Sequence, residues 1–331
     1  MSLNLYAGTN LATMYDLAAR FGQNGDKVMQ RIVELQAQKN DIWQVMPFKP
    51  CNEGTKETVI LREELPDIAW RMINKGVEAV KTGTKQASYT TGGKEAFAEV
   101  DERALQMNGY SNEWRLSENA GVQIALSNQM SETIFYGDEK INPAGFSGFG
   151  AHYYSLTGNG IFSEQVIDAG GEGDNLTSLW IVSFGPDTVY GITPEKVPSG
   201  YRYKDNGRVQ MTDPNSKKFW GYQSQYNWDM GIAIRDPRYV VRLANIDVTK
   251  ENDGTFINKM ITALDQIFDT DHGRTVFLCN RKVNTLINIL AMNKANVNLY
   301  IDDFAGKKIT HFWGYPILRN DAILNTESQI V

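Results

Sequence analysis

The stretch EWRLSENAGVQIALSNQMSETIFYG, residues 113–137, decides the fold. It contains no proline and only one interior glycine, Gly121, so nothing in it interrupts a helix. At about 1.5 Å per residue the helix would be roughly 37 Å long. Apolar residues cover more than half of its circumference, which predicts a helix contacted on several sides. An ordinary buried helix of an α+β enzyme is the alternative that this stretch alone favours.

The composition indicates a folded protein without disulfide or zinc sites. The 331 residues are 42% apolar and 11% aromatic, which excludes wholesale disorder and allows one large or two medium-sized domains. The formal net charge of -6 argues against a duplex-binding protein, because phosphate binding requires clustered lysine and arginine. Cys51 and Cys279 match no disulfide framework or zinc-finger spacing, which indicates folding in a reducing cytosol.

The N-terminal part predicts an arm followed by a short strand. Residues 1–25 are polar, and a helix is predicted from Asp26 to about Lys39. Ile42 to Phe48 then predict a strand that two prolines interrupt and end. The arm has no basic stretch followed by an apolar run, and no window approaches about 18 apolar residues. We therefore expect neither a signal peptide nor a membrane-spanning helix, and a soluble intracellular protein.

Residues 55–107 predict a long excursion. A predicted strand, TKETVILREELP, is followed by an extended or turning piece, IAWRMINKGVEAV, and by a third piece, TKQASYTT. A strand that runs into a helix, AFAEVDERALQM, comes after them. The predicted tip, 76–94, is rich in glycine and lysine. It has so few large apolar residues between Lys81 and Glu95 that we expect it not to fold alone. A loop of this length is usually functional or disordered, and a mobile flap is the generic interpretation.

The C-terminal half predicts a β-rich domain with helices. After the glycine-rich turns of 137–160, the strand segments are LWIVSFG, TVYGIT, YRYKDN, RVQMTD, FWGYQSQYNWDMGIAI and YVVRLANIDV. Amphipathic helices are predicted from about Asp253 to Phe268 and around Val283 to Ala291, with TVFLCN as a buried strand between them. Two short strands around Gly314 complete the chain.

No convincing reaction centre is present in the sequence. His152, His272 and His311 show no metal-ligand spacing, and GFSGFG at 145–150 lacks the βαβ unit of a dinucleotide loop. GGEGD at 170–174 lacks the alternating carboxylates of a calcium loop, and Cys279 lies in an apolar strand as inert core. We therefore predict no catalytic residue, no cofactor and no bound metal.

Several segments carry a resemblance to a known family: LPDIAWRMINKGVEAVKTGTKQ followed by EVDERAL, IFYGDEKINPAGFSGFGAHYYSL, DPRYVVRLANIDV, VFLCNRKVNTLI and GYPILRNDAILNTE. Together with the order of parts, they resemble the major capsid (coat) protein of tailed bacteriophages, particularly of short-tailed phages. The resemblance covers almost the whole chain and implies an α+β fold of the Hong Kong 97 type. The resemblance rests on the order of the predicted elements and on local sequence similarity, because no single residue carries out chemistry.

The resemblance implies a division into four parts. The N-terminal arm would be 1–38 and the extended loop 54–107. A peripheral domain would comprise 39–53, 108–174 and 301–331, with the spine helix at 113–137, and an axial domain would comprise 175–300. The arm is too short for a built-in scaffolding region, so a separate scaffolding protein is implied.

The resemblance also implies that the extended loop lies across the next subunit. The expected contacts are Trp70, Met72, Ile73, Lys75, Lys81, Lys85, Lys94 and Phe97, and the receiving acids are Glu113, Glu118 and Glu132. Exposed ion pairs contribute only ~0 to 1 kcal/mol each, so they would set register while apolar anchors provide most of the binding energy. Some relatives crosslink a loop lysine to an asparagine. Lys81 or Lys85 could supply the lysine. The sequence marks no matching set of lysine, asparagine and a glutamate that would act as base, so we do not expect crosslinking.

The implied function is a non-enzymatic shell subunit that forms pentamers and hexamers of an icosahedral phage head around double-stranded DNA. The implied partners are other copies of the chain, a scaffolding protein, a portal, a decoration protein and non-specific DNA at the inner face, with assembly in the bacterial cytoplasm and no membrane. Two alternatives stay open: an encapsulin nanocompartment shell, and a β-rich hydrolase with its site around His152 and Asp168.

Overall fold

The structure is a computed structural model that describes residues 37–107, 112–158, 160–197, 200–213, 215–249, 255–292, 299–304 and 307–331. The predicted arm at 1–25 and nearly all of the helix predicted from Asp26 lie outside these residues. In chain order, the helices are α1 (Glu102–Met107), α2 (Asn112–Tyr136), α3 (Phe149–His152), α4 (Ile161–Glu164), α5 (Thr255–Asp265) and α6 (Arg281–Met292), with 3-10 turns at Asp41–Gln44 and Pro237–Tyr239. No helix in the described ranges is long and apolar enough to cross a membrane.

The strands are β1 (Phe48–Pro50), β2 (Lys56–Glu64), β3 (Gly83–Thr90), β4 (Gly92–Asp101), β5 (Val166–Asp168), β6 (Thr177–Phe184), β7 (Val189–Thr193), β8 (Tyr201–Thr212), β9 (Lys218–Ile234), β10 (Val240–Ile246), β11 (Arg274–Cys279), β12 (Leu299–Phe304), β13 (Lys307–Phe312) and β14 (Tyr315–Arg319). The chain divides into two compact units. The domain boundaries implied by the resemblance stay a prediction.

The long helix α2 has the predicted extent, within one residue at each end. The glycine-rich turn that follows packs its backbone directly against the end of the helix: Gly148 N donates to Gly137 O at 2.8 Å. A Cβ on Gly148 would lie 2.4 Å from the carbonyl oxygens of Thr133 and Ile134. The glycine is therefore required by a close approach of two backbones.

Among the described residues, unit 1 contains those of Gly93–Met130 and Ser199–Asp229. Strands β8 and β9 form a long antiparallel ribbon in it, and β4 neighbours β9. The two segments predicted as separate strands, YRYKDN and RVQMTD, are one strand with a bulge between Asp205 and Gly207. Gly207 has φ +68°, a conformation that glycine adopts at bulges without strain. Ala98, Leu126 and Tyr226 form a small apolar core between strand and helix.

Unit 2 comprises Lys39–Gly92, Ser131–Pro198 and Met230–Val331. Its sheet has the order β12-β13-β14-β11-β6-β7, with β10 beside β6, β5 beside β10 and β1 beside β7. Every residue of β6, β7 and β10 is buried, which explains why these strands read as continuous rather than alternating apolar runs. Helix α5 packs on β10, and α6 packs on β12 and β14.

A charged network lies inside unit 2. Arg242 Nη2 and Glu327 Oε2 are 2.8 Å apart, and their side chains are only 6% and 7% exposed. Glu327 also accepts hydrogen bonds from Tyr136 and Ser178, while the Arg242 guanidinium lies over the Trp180 ring. Every charge in this network is hydrogen-bonded, as a buried ion pair requires. It fixes the C-terminal segment to the sheet, and the sequence analysis did not find it.

Two local predictions are wrong. Residues 42–48 do not form a strand: a 3-10 helix occupies Asp41–Gln44 because Asn320 Oδ1 accepts from Ile42 N at 3.1 Å, and only Phe48–Pro50 is extended in β1. The piece IAWRMINKGVEAV, predicted as extended or turning, contains no helix or strand and has a turn at Asn74. The predicted tip, 76–94, is also placed wrongly, since it contains all of β3 and the start of β4.

Candidate inter-subunit surface

The extended loop consists of a hairpin and a tip. The hairpin is β2 paired antiparallel with β3, from Lys56 opposite Thr90 to Glu64 opposite Gly83, and it forms a two-stranded sheet of its own. The loop tip, residues 65–82, contains no helix or strand. Its backbone is organised only around a turn at Asn74, which has φ +66° and where Lys75 N donates to Met72 O at 3.2 Å.

The loop tip exposes an unusual number of large apolar side chains. Trp70 is 100% exposed, and all seven of these residues are more than half exposed: Leu65, Ile68, Trp70, Met72, Ile73, Val77 and Val80. Scattered single apolar residues are normal at a surface, but a concentration of large exposed apolar side chains within residues 65–80 is the feature expected of an interaction site. The described part of the chain supplies no core for them.

The structure brings most, but not all, of the predicted contact residues together. Trp70, Met72, Ile73, Lys75 and Lys81 lie exposed on the loop tip, and Lys85 lies exposed on β3. Phe97 and Lys94 lie apart from them on β4, where Phe97 is half exposed. Lys94 Nζ donates to Gln129 O of α2 at 3.1 Å, so this lysine contacts its own chain's helix.

The predicted receiving acids lie along α2. Glu132 is exposed near its C-terminal end, and Glu118 is partly buried in its first half. The side chain of Glu113 lies outside the described residues. The pairing of these acids with loop lysines stays a prediction.

The hairpin root, defined as Tyr89, Thr90 and Gly92, is held firmly in unit 2. Tyr89 is 5% exposed, its hydroxyl donates to Ile234 O at 2.7 Å, and burial raises the pKa of that hydroxyl well above its usual range. Thr90 Oγ1 donates to Glu139 Oε2 at 2.5 Å. A Cβ on Gly92 would lie 2.6 Å from the backbone of Gly145. The loop is therefore anchored at its base and exposed at its tip.

Sequence reasoning missed the hairpin root. The signal was present in QASYTTGG, where one tyrosine interrupts a run of small polar residues. A single large aromatic residue in such a run is the side chain expected to be buried, because its neighbours have too little apolar surface to bury.

His152 and Asp168, around which the hydrolase alternative places its site, pack against and hydrogen-bond to residues of the fold. The His152 ring stacks on Phe162 at 5.5 Å and meets the Tyr89 ring edge-on at 5.7 Å, and burial lowers the pKa of its imidazole. Asp168 Oδ1 accepts from Asn245 Nδ2 and from Gly170 N, each at 2.8 Å. Among the described residues no group of three or more His, Cys, Asp or Glu could hold a metal ion.

The two cysteines are buried and free. Burial raises the pKa of the Cys279 thiol to about 12 and that of Cys51 to about 11. Thiols with such pKa values carry almost no reactive thiolate at neutral pH. Their contribution is to packing.

Comparisons with known proteins agree on one family. A family model described as "Major capsid protein GP7" matches residues 23–331. A chain from a cryo-EM structure of bacteriophage Epsilon15 is similar at 30% identity with a TM-score of 0.74, covering 100% of this chain and 99% of that chain. A comparison with curated proteins finds no match.

Two further structures are more distant. The bacteriophage JBD30 capsid matches at 10% identity with a TM-score of 0.47, covering 94% of this chain and 99% of that chain. The SrpI encapsulin of Synechococcus elongatus PCC 7942 matches at 11% identity with a TM-score of 0.47, covering 72% of this chain and 98% of that chain. Matches at this level carry no argument about function.

Proposed function

The chain belongs to the GP7 family of major capsid proteins, and from this premise we propose that it assembles as pentamers and hexamers into an icosahedral phage head around double-stranded DNA. The family match confirms the predicted phage major capsid protein and its α+β fold of the Hong Kong 97 type. It also favours this function over the encapsulin and hydrolase alternatives.

The loop tip is the observation that carries the assembly proposal. Its seven exposed apolar side chains are buried when the tip lies on the next subunit of the same ring, across the peripheral part that contains α2. Lys75, Lys81 and Lys85 then face acids of that subunit, with Glu113, Glu118 and Glu132 as the proposed receivers. Phe97 and Lys94 belong to a second contact surface on β4.

Apolar burial outweighs charge pairing in this contact. Exposed ion pairs contribute about 0 to 1 kcal/mol each, whereas a buried aromatic anchor at an interface contributes on the order of 2 to 4 kcal/mol. The lysines therefore fix the register of the tip and the apolar side chains hold it. A modest contact is enough, because each subunit of a closed ring both donates and receives one tip, and all contacts must break together.

The proposal extends to a non-enzymatic role and to further partners. The expected partners are a separate scaffolding protein, a portal, a decoration protein and the packaged DNA, which contacts the inner face without sequence preference. The net charge of -6 supports a container wall rather than a tight DNA binder, since a mildly negative surface limits adhesion to the genome. Assembly in the host cytoplasm agrees with two buried, free cysteines.

The test is a deletion confined to the loop tip. Removing residues 66–81 leaves β2 and β3 in place, whereas a cut at 80–94 would remove β3 and the buried Tyr89. We expect a folded subunit with an unchanged unfolding midpoint that forms no closed shells in negative-stain microscopy. The matched control replaces the same residues with a glycine-serine segment of equal length, and we expect it to fail equally. Normal shells from either variant would overturn the proposed role of the tip.

A further inference from the structure

We propose that His152 makes the anchorage of the hairpin acid-sensitive: protonation of its imidazole loosens the hairpin root and releases β2 and β3 from unit 2. This inference concerns the chain by itself and goes beyond the proposed function. It stands on the position of His152 between the hairpin and the elements that hold it.

His152 is the last residue of α3 and packs directly on the hairpin root. Its ring meets the Tyr89 ring edge-on at 5.7 Å and stacks on Phe162 of α4 at 5.5 Å, with an interplanar angle of 24°. Tyr89 is the residue whose hydroxyl ties β3 to the end of β9, through Ile234 O. A change in the charge of the imidazole therefore acts on the side chain that anchors the hairpin.

The charged groups near His152 come from one turn and one neighbouring surface. The turn after α2 contributes Asp138, Glu139 and Lys140. On the side of Phe162 lies a cleft that Phe162 and Tyr89 line together with two ion pairs, Arg235 with Asp187 and Arg238 with Asp236, each at 2.7 Å. The hairpin contributes the cations Arg62 and Lys85 to this cleft. The hairpin and α3 also contribute the hydroxyls of Tyr89 and Tyr153, which accept no proton in the acid range.

The direction of the effect follows from burial. Burial lowers the pKa of His152 below its ordinary value, while Glu139 and Asp138 offset part of this and Lys140 adds to it. His152 thus takes up a proton at higher pH when the hairpin is released than when it is anchored. The anchorage is complete above about pH 6.5 and is lost as the pH falls from there through the lowered pKa. For each pH unit by which the pKa of His152 is lowered, protonation can raise the equilibrium constant for release of the hairpin by up to about tenfold.

The test measures hydrogen exchange in the full-length, unassembled chain. Amides of β2 and β3 are compared at pH 7.5 and 5.5, with rates corrected for the intrinsic effect of pH. We expect their protection to fall by several-fold to about tenfold in the natural protein. His152→Phe keeps a ring against Phe162 and Tyr89 without the proton, and its protection should be the same at both pH values. Equal protection at both pH values in the natural protein would refute the inference.

His272→Phe is the matched control, because His272 also contacts a tyrosine ring, Tyr239 at 5.8 Å, but outside the hairpin root. We expect it to keep the pH effect; a loss of the effect in this variant would contradict the assignment to His152.

Histidine-labelled NMR keeps the test valid if His152→Phe fails to fold. The chain has three histidines, so three imidazole signals are followed with pH in the natural protein. The His152 signal should titrate below the usual histidine range, together with the exchange change in β2 and β3. Titration at or above that range would refute the proposal. Both readouts concern the isolated chain, so failure of shell assembly and failure of this inference are separate outcomes.

Discussion

Truncation of Trp70 to alanine should leave the subunit stable and cripple its assembly. The side chain is 100% exposed in the single chain, so its removal should change the free energy of unfolding by no more than about 0.5 kcal/mol. Burying a tryptophan removes about 150 to 250 Å² from water, an upper bound near 4 to 6 kcal/mol. Truncated aromatic anchors at interfaces typically cost about 2 to 4 kcal/mol. We therefore expect the subunit concentration needed for assembly to rise roughly 30- to 700-fold.

Two measurements on the same variant check this prediction. Urea unfolding of the unassembled subunit reports stability, and light scattering with electron microscopy over a concentration series reports shell formation. Trp70→Phe keeps most of the apolar area and should assemble much nearer the natural concentration. If Trp70→Ala assembles at the natural concentration, the tip is not buried between subunits and the reasoning fails.

Two further predictions concern the fold itself. Glu327→Gln should lower the free energy of unfolding, measured in urea, by about 3 to 5 kcal/mol, because it leaves the Arg242 charge buried without its partner. Replacing both residues by Met and Leu should recover much of this loss. A cost below about 1 kcal/mol for Glu327→Gln would contradict the prediction. Gly121→Ala should stabilise the protein by about 0.5 to 1 kcal/mol, since a Cβ at this helical position meets nothing within 4 Å. Gly148→Ala should destabilise it by about 1 to 3 kcal/mol, because the added Cβ forces two backbones apart. Thermal unfolding midpoints equal to that of the natural protein would count against both predictions.

Elements with a strong local pattern could be predicted from the sequence. The helix at 113–137 has no breaker, so its observed bounds, Asn112–Tyr136, differ by one residue at each end. The amphipathic stripe beginning at Phe256 and the apolar strand TVFLCN are likewise present as α5 and β11. The resemblance to phage coat proteins rested on these elements and their order, and the family match confirms it.

Features set by distant residues could not be predicted. The 3-10 turn at Asp41–Gln44 depends on Asn320, 278 residues away, and Arg242 meets Glu327 across 85 residues. The two hairpin strands were predicted from TKETVILREELP and TKQASYTT, but the tip was misplaced, because the glycines and lysines of 83–94 indicated a loose tip while the pairing with β2 decides their structure. Of the candidate site, the apolar residues of the tip were predicted, whereas the buried hairpin root was missed although Tyr89 signals it.

The placement of Glu327 has a consequence for how the chain is made on the ribosome. Arg242 is translated 85 residues before its carboxylate partner, and β14 enters the sheet beside β11 only after α6 has been synthesised. Throughout that interval the guanidinium has to remain hydrated, because burying an unpartnered cation costs several kcal/mol. Until Glu327 has been synthesised, unit 2 lacks the carboxylate that pairs with the buried Arg242, so we expect a chain released before that residue to be more open to proteases.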